Sequence, residues 1–392
     1  MDFNISEDLK MLQTLARDFV KDQLLPLEKE VLGRESDLEG AKRNLAPEKE
    51  SELIRTAREI GLWGLSIPEN LGGPGLGVLG TCLVEEELAR TVVPFNFGDV
   101  TPVLFDCNEE QKAEYLLPLL EGKKSAYLSL VEPGKGIDPL LMEMKAQKAD
   151  SNYILNGKKL VFGQNRKADF ALVFAITDPE KGLREGVTCF LVDNGVSGFS
   201  ISGEGEKSGW RAQVPELLTL TFENCKVPET KVLGEVGRAF QLGHKWLPAR
   251  RIVRGARCVG AAVRLLEKAT EHAVSWLSFG QSISDWPSIQ SMLAEMAIDI
   301  QAARLMVYQA ACQADEGQDI RSAAAGVKIF SIEMLKRVAD KAILVKNGPG
   351  PLIGLPLEFL CQSLLRQNIG ARALEVQKSV VADNIIRTCK IV

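Results

Sequence analysis

The segment Leu128-Ser-Leu-Val-Glu-Pro-Gly-Lys-Gly-Ile-Asp138 holds the residue types best suited to ligand chemistry in this 392-residue chain. Apolar residues lead into Glu132, after which Pro133, Gly134 and Gly136 force a tight turn. Glycine reaches left-handed conformations without strain, and the amides freed by such a turn can form a nest for an anionic group. A Pro-Gly turn serves equally as a plain chain reversal. Other reactive sets are sparse. The two histidines, His244 and His272, are too far apart for a helical metal pair and have no evident carboxylate companion. A Ser-His-Asp triad or a histidine-rich metal site is therefore not expected. The eight cysteines (Cys82, Cys107, Cys189, Cys225, Cys258, Cys312, Cys361 and Cys389) include no C-x-x-C pair. They read as reduced, mostly buried thiols rather than a disulfide framework or a zinc site.

The composition is that of a soluble globular protein, 45% hydrophobic and 25% charged with a net charge of −5. The length allows two or three domains. A mildly acidic chain without a basic block argues against nucleic-acid binding. No apolar stretch approaches the roughly 18 residues of a spanning helix, and no basic-then-apolar leader opens the chain, so a cytoplasmic location is expected.

The elements that must position the turn follow from periodicity. Ser6 suits the N-cap of a helix carrying Leu9, Leu12, Leu15, Phe19 and Val20 at helical spacing. The charged stretch from Gly33 to Glu50 reads as loop or exposed helix. A second helix covers Leu53 to Ile60 and stops at Gly61. The Gly- and Pro-dense segment from Gly64 to Gly75 reads as loop. Further helices are expected at Thr81 to Arg90 and Glu109 to Leu120. From Ala126 the period changes to two, with strands at 126–131, 153–155, 159–162, 170–176, 187–192, 199–202 and 217–222. Asn156-Gly157 and Asp193-Asn-Gly195 are hairpin or bulge signals between them. After Gly237 four long helices, 240–278, 286–314, 323–345 and 356–384, read as an antiparallel bundle. The expected class is α+β: an N-terminal helical domain (1–122), a central small antiparallel β-barrel domain (123–235) and a C-terminal four-helix bundle (236–392).

That order, with Glu132-Pro-Gly134 near the start of the β domain, resembles the acyl-CoA dehydrogenase family. The resemblance spans nearly the whole chain. It includes Ile67-Pro-Glu-Asn-Leu-Gly-Gly73, Val131-Glu-Pro-Gly-Lys-Gly-Ile-Asp138, Leu155-Asn-Gly-Lys-Lys-Leu160 and Phe222-Glu-Asn-Cys-Lys-Val-Pro228. It continues through Gly237-Arg-Ala-Phe240, Phe279-Gly280, Leu293-Ala-Glu-Met296 and Glu375-Val-Gln377. The resemblance implies a tetramer binding FAD and an acyl-CoA thioester, acting as an oxidoreductase in a degradation pathway, with reoxidation by an electron-transfer flavoprotein. In that family a carboxylate removes the α-proton while hydride leaves the β-carbon for the flavin. Such a proton is only weakly acidic, so the thioester carbonyl must be polarised by hydrogen-bond donors first.

Carried over residue by residue, the family's usual base position before the last helix falls on Ala371. The alternative position, on the helix after the β domain, falls on Arg250. Alanine cannot take a proton, and an arginine stays cationic. Glu375 is the nearest carboxylate, one helical turn on. The hydroxyl residues of the flavin-facing turn correspond to Val131 and Ile137, and the family's Trp-Ile-Thr corresponds to Val161-Phe-Gly163. An arginine that reaches a neighbouring subunit's pyrophosphate is Trp276, and other neighbour contacts fall on Leu344, Asn347 and Gly348. By the same resemblance the cofactor-binding positions are Leu130, Val131, Gly136, Phe162, Gly163, Phe279 and Gly348, and the substrate-binding positions are Phe240 and Arg251. Phe240 also suits core packing, and Arg251 a surface ion pair. Arg250, Arg251 and Arg254 lie at helical spacing, as a solvated charged face or as an anion-facing stripe for CoA phosphates or an acidic substrate. Three functions fit this pattern: the base-less partner in a heteromeric α2β2 acyl-CoA dehydrogenase, a self-sufficient flavoenzyme with a relocated base or non-dehydrogenase chemistry, and a catalytically silent acyl-CoA-binding or scaffold protein.

Overall fold

The computed structural model describes residues 5–33, 45–135, 141–163, 168–202, 216–243, 246–346, 360 and 374–389. The chain forms two compact units. One comprises Met1–Glu69, Gly73–Phe97 and Pro248–Val392; the other comprises Asn70–Gly72 and Gly98–Leu247.

The first unit is helical. Helix α1 (Glu7–Phe19) starts where expected, with the Ser6 hydroxyl accepting from the Leu9 amide at 3.4 Å and Glu7 and Asp8 in the first turn. The short α2 (Glu28–Gly33) follows, then α3 (Pro47–Glu59), which begins earlier than apolar spacing indicates because Pro47 is preorganised for a first helical position. Helix α4 (Gly77–Leu88) carries three consecutive glutamates, Glu85 to Glu87, and all three are buried. Each meets cations: Glu85 lies 2.6 Å from Arg257, Glu86 2.7 Å from Arg304, and Glu87 2.7 Å from Arg17 and from Arg90. The Tyr308 hydroxyl adds a 2.9 Å hydrogen bond to Glu86. Buried carboxylates persist because these charge-assisted bonds offset their desolvation.

The start of α4 lacks a side-chain cap of its own. The carboxylate of Asp315 supplies one, accepting from the amides of Val78 at 2.6 Å and Leu79 at 3.0 Å. Asp315→Ala is expected to lower stability by about 1 kcal/mol, the usual value of a helix N-cap, read as a drop in thermal midpoint. An unchanged midpoint would refute the capping role.

The bundle consists of α8 (Leu247–Ser275), α9 (Pro287–Asp315), α10 (Arg321–Lys346) and α11 (Leu374–Thr388). The first part of the last expected helix, 356–373, lies outside the described residues apart from Leu360. Ala256, Val259, Ala262, Met296, Ala303, Val307, Val327 and Leu335 are among the buried residues between them.

The second unit opens on a helical stretch, α5 (Glu109–Gln111) and α6 (Leu117–Leu120), joined by a π turn at Lys112–Leu116. Its sheet comprises β1 (Ala126–Ser129), β2 (Lys145–Ala149), β3 (Asn152–Gly163), β4 (Phe170–Ile176), β5 (Val187–Asp193), β6 (Phe199–Ser202), β7 (Glu216–Pro228) and β8 (Val232–Leu233). A short helix, α7 (Gly182–Gly186), lies between β4 and β5. The order is β6-β7-β3-β2-β4-β5-β8, with β1 on β4. Most pairs are antiparallel, but β1 and β2 each meet β4 in parallel. Val131, just past β1, bridges Leu160 of β3, so β1 and β2 lie one after the other in the gap between β3 and β4, and the described pairings run as a path from β6 to β8.

Two sequence expectations change here. Strands 153–155 and 159–162 are one strand, because Asn156-Gly157 continues β3 rather than reversing it, opposite a bulge in which Glu223 and Asn224 of β7 face the single residue Asn156. Strand β7 runs unbroken across it, the Asn156 side chain accepts from the Asn224 amide at 2.7 Å, and Gly157 takes φ 147°. Strand β2, Lys-Ala-Gln-Lys-Ala, buries only Ala146, so it carries no readable alternation.

Candidate functional site

The turn at Glu132 is built from below. Strand β1 ends with the Ser129 hydroxyl donating to the Leu172 carbonyl at 2.7 Å. The Leu130 carbonyl accepts from Lys159 Nζ at 3.2 Å, and the Val131 carbonyl accepts from the Leu160 amide at 2.8 Å. The chain then turns, with the Lys135 amide on the Glu132 carbonyl at 3.2 Å and Gly134 at φ 72°. Pro133 and Gly134 are exposed, and a Cβ at Gly134 would meet nothing within 4 Å. An open, outward turn follows, as a ligand-facing loop requires. Gly136 and Ile137 lie outside the described residues.

Glu132 itself faces inward. Its carboxylate accepts from Lys159 Nζ at 2.8 Å and from the amides of Met144 at 3.0 Å and Glu143 at 2.8 Å. The Lys159 side chain is fully buried and that of Glu132 is 6% exposed. Burial pushes the Lys159 ammonium below its ordinary range, while the Glu132 hydrogen bond and charge pull it back up. The turn is therefore fastened to β3 and to the chain entering β2 by a buried ion pair. Sequence reasoning singled out Glu132 and missed Lys159. The signal was present: Tyr153, Leu155, Lys159 and Val161 all fall on the inward register of β3, so the lysine occupies an apolar position.

Phe162 and Gly163 end β3, their backbones paired with Leu217 and Glu216 of β7. Phe240 lies in a 3-10 turn, Ala239–Gln241, in the same unit. Its half-buried ring packs at 5.9 Å from that of Phe174.

The remaining positions belong to the helical unit. Arg250, Arg251 and Arg254 are half-buried on the first turns of α8, each with interactions of its own. Phe279 and Gly280 form the two-residue loop between β9 (Leu277–Ser278) and β10 (Gln281–Ser282). Both take positive φ, 52° and 85°, which matches the twist of a tight hairpin. The loop holds Phe279 96% exposed, its ring stacked at 6.3 Å on Trp286, beside exposed Trp276 and Leu277. Leu344 is exposed on α10, while Asn347, Gly348 and Ala371 lie outside the described residues. Among the described residues no helix is long and apolar enough to cross a membrane.

Comparison with known proteins gives the family. The chain matches the acyl-CoA dehydrogenase N-terminal domain over residues 6–123, the middle domain over 128–225 and the C-terminal domain over 240–386. It is similar to (R)-benzylsuccinyl-CoA dehydrogenase of Thauera aromatica, with 30% identity over 98% of this chain and 97% of that protein. Among solved structures it resembles butyryl-CoA dehydrogenase from Megasphaera elsdenii, with 30% identity, a TM-score of 0.85 and coverage of 99% of this chain and 100% of the other. It also resembles an FAD complex of PigA, with 26% identity, a TM-score of 0.85 and coverage of 98% and 99%. The chain belongs to the acyl-CoA dehydrogenase family, whose members are oxidoreductases acting on the CH–CH bond of acyl-CoA thioesters.

Proposed function

We propose that this chain is the base-less subunit of a heteromeric acyl-CoA dehydrogenase, two copies assembling with two of a homologous chain that carries the base. The observation that carries the reading is the pair Ala371 and Arg250 at the family's two base positions. Neither side chain can accept an α-proton at neutral pH, and in this reading the proton goes to a carboxylate of another chain. The exposed Phe279 hairpin with Trp276 and Leu277 supports assembly, since a cluster of large apolar side chains in water is normally covered by a partner.

The bound flavin would be FAD, supplying the hydride acceptor. The residues present suit it through their backbone: the turn at Gly134 is open to close approach, and its shape is held by Glu132 and Lys159. Leu130, Val131, Gly136, Phe162 and Gly163 would hold it here, with Phe279 and Gly348 serving a neighbouring chain. Val131 offers no hydroxyl, so part of the grip comes from the partner. Phe240 and Arg251 would contact the acyl-CoA. An electron-transfer flavoprotein would reoxidise the complex, in the cytoplasm.

The test is expression of this chain alone and together with its homologue from the same host. Alone, it is expected to show no absorbance near 450 nm and no dehydrogenation of acyl-CoA; together, the two are expected to co-purify as a yellow, active tetramer. A yellow and active protein from this chain alone overturns the proposal in favour of a self-sufficient flavoenzyme. Binding of acyl-CoA by a colourless chain that joins no partner overturns it in favour of a silent binding protein.

A further inference from the structure

Three Asn-Gly pairs occur in the chain, Asn156-Gly157, Asn194-Gly195 and Asn347-Gly348, the last outside the described residues. Asparagine before glycine is prone to deamidation, because no side chain shields the amide that follows it. That backbone nitrogen, once deprotonated, attacks the side-chain carbonyl carbon, and the side-chain nitrogen leaves as ammonia. Water then opens the cyclic imide to an aspartate or to a β-linked isoaspartate. Nothing is oxidised or reduced, and water is the only co-reactant.

The β unit holds two of these pairs in opposite states. Asn156 is exposed, yet its side-chain oxygen accepts from the Asn224 amide at 2.7 Å and its side-chain nitrogen donates to the Asn224 side chain at 3.4 Å. Its backbone is paired with Lys145 of β2, and Gly157 with Phe222 of β7. The surroundings are crowded, since a Cβ at Gly157 would sit 2.8 Å from Met144 Cγ. Attack there must first break the side-chain hydrogen bond and open the sheet locally.

Asn194 and Gly195 form the turn after β5, and both are exposed. Among the described residues neither the Asn194 side chain nor the Gly195 amide has a hydrogen-bond partner. A Cβ at Gly195 would meet nothing within 4 Å, and φ there is 91°. The nucleophile and the carbonyl it attacks are thus adjacent, solvated and unshielded.

We infer that Asn194 is a site of spontaneous deamidation in the folded protein, and that the sheet protects Asn156. The reaction sets a new carboxylate next to Asp193, which accepts from the Tyr115 hydroxyl at 2.8 Å and lies 3.7 Å from Lys231 Nζ. An isoaspartate also lengthens the main chain where the Asn194 amide meets the Asp169 carbonyl at 2.8 Å. The assignment does not depend on the flavin or on a partner chain.

The full folded chain, held in mildly alkaline buffer below its thermal midpoint, is sampled over time and digested for peptide mass spectrometry. Conversion of amide to carboxyl is expected in the peptide holding Asn194, with isoaspartate as the larger product and solvent oxygen incorporated from heavy-oxygen water. Asn156 is expected to convert slower by about tenfold or more, the factor for one hydrogen bond that must open first. In denaturant, where both pairs lose their surroundings, the two rates should converge. An Asn194 that stays intact in the folded chain but converts in the denatured one overturns the inference. Equal rates at the two sites in the folded chain do the same, and so does a difference that denaturant leaves undiminished.

Discussion

Replacing Lys159 by methionine is expected to destabilise the β unit by about 3–5 kcal/mol, the penalty for leaving one member of a buried ion pair without the other. Methionine fills a similar volume, so the loss is electrostatic and not a cavity effect. What remains is the Glu132 carboxylate, 6% exposed, with the two amides of Glu143 and Met144 but no counter-charge. The Leu130 carbonyl loses its 3.2 Å donor at the same time. Amide hydrogen exchange locates the effect: protection should fall along β3 and β7, whose amides otherwise report the opening of this sheet. Adding Glu132→Gln to Lys159→Met removes the orphaned charge and keeps one amide acceptor, so the double variant should recover part of the loss. If the single variant matches the wild type in exchange, the ion pair does not hold the turn. The consequence reaches function, because the same pair shapes the loop assigned to FAD under the proposed reading, and flavin retention should fall in step with stability.

The second large effect is expected at Gly260 of α8. A Cβ there would land on the Glu86 carbonyl oxygen and lie 3.1 Å from the Ala89 Cβ. Backbone, unlike the end of a flexible side chain, cannot step aside, so α8 and α4 must separate. Gly260→Val is expected to cost about 3 kcal/mol, at the upper end for overpacking, and Gly260→Ala less in the same direction. Separation also strains the Glu86–Arg304 pair, whose 2.7 Å contact spans α4 and α9. Gly326 of α10 provides the contrast. A Cβ there meets nothing within 4 Å, and Gly326→Ala should stabilise by about 0.5–1 kcal/mol through helix propensity. Denaturant midpoints of the three variants decide the matter: equal effects at 260 and 326 would mean that helix propensity, not close approach, governs both.

Much of this chain was legible before any coordinates. Helical periodicity placed α8, α9 and α10 to within several residues, because each buries a stripe repeating every three or four positions. Strands β4 and β6 were placed at their observed bounds, β4 by a continuous apolar run and β6 by alternation. The motifs from Ile67 to Gln377 sufficed for the family, and the residue types at 250 and 371 for the question of the base, since loss of a carboxylate is visible in a single letter.

Tertiary structure decided what depends on partners distant in sequence. Whether Asn156-Gly157 reverses the chain or continues the strand depends on β7, some 60 residues further on, which pairs across both halves and takes up the bulge itself. The burial of glutamates 85 to 87 depends on arginines that come from α1, α8 and α9. Local sequence determines periodicity and turn chemistry, both set by nearest neighbours along the chain. The fate of a buried charge is set by the dielectric and the counter-charge around it, and those exist only once the helices and strands have packed.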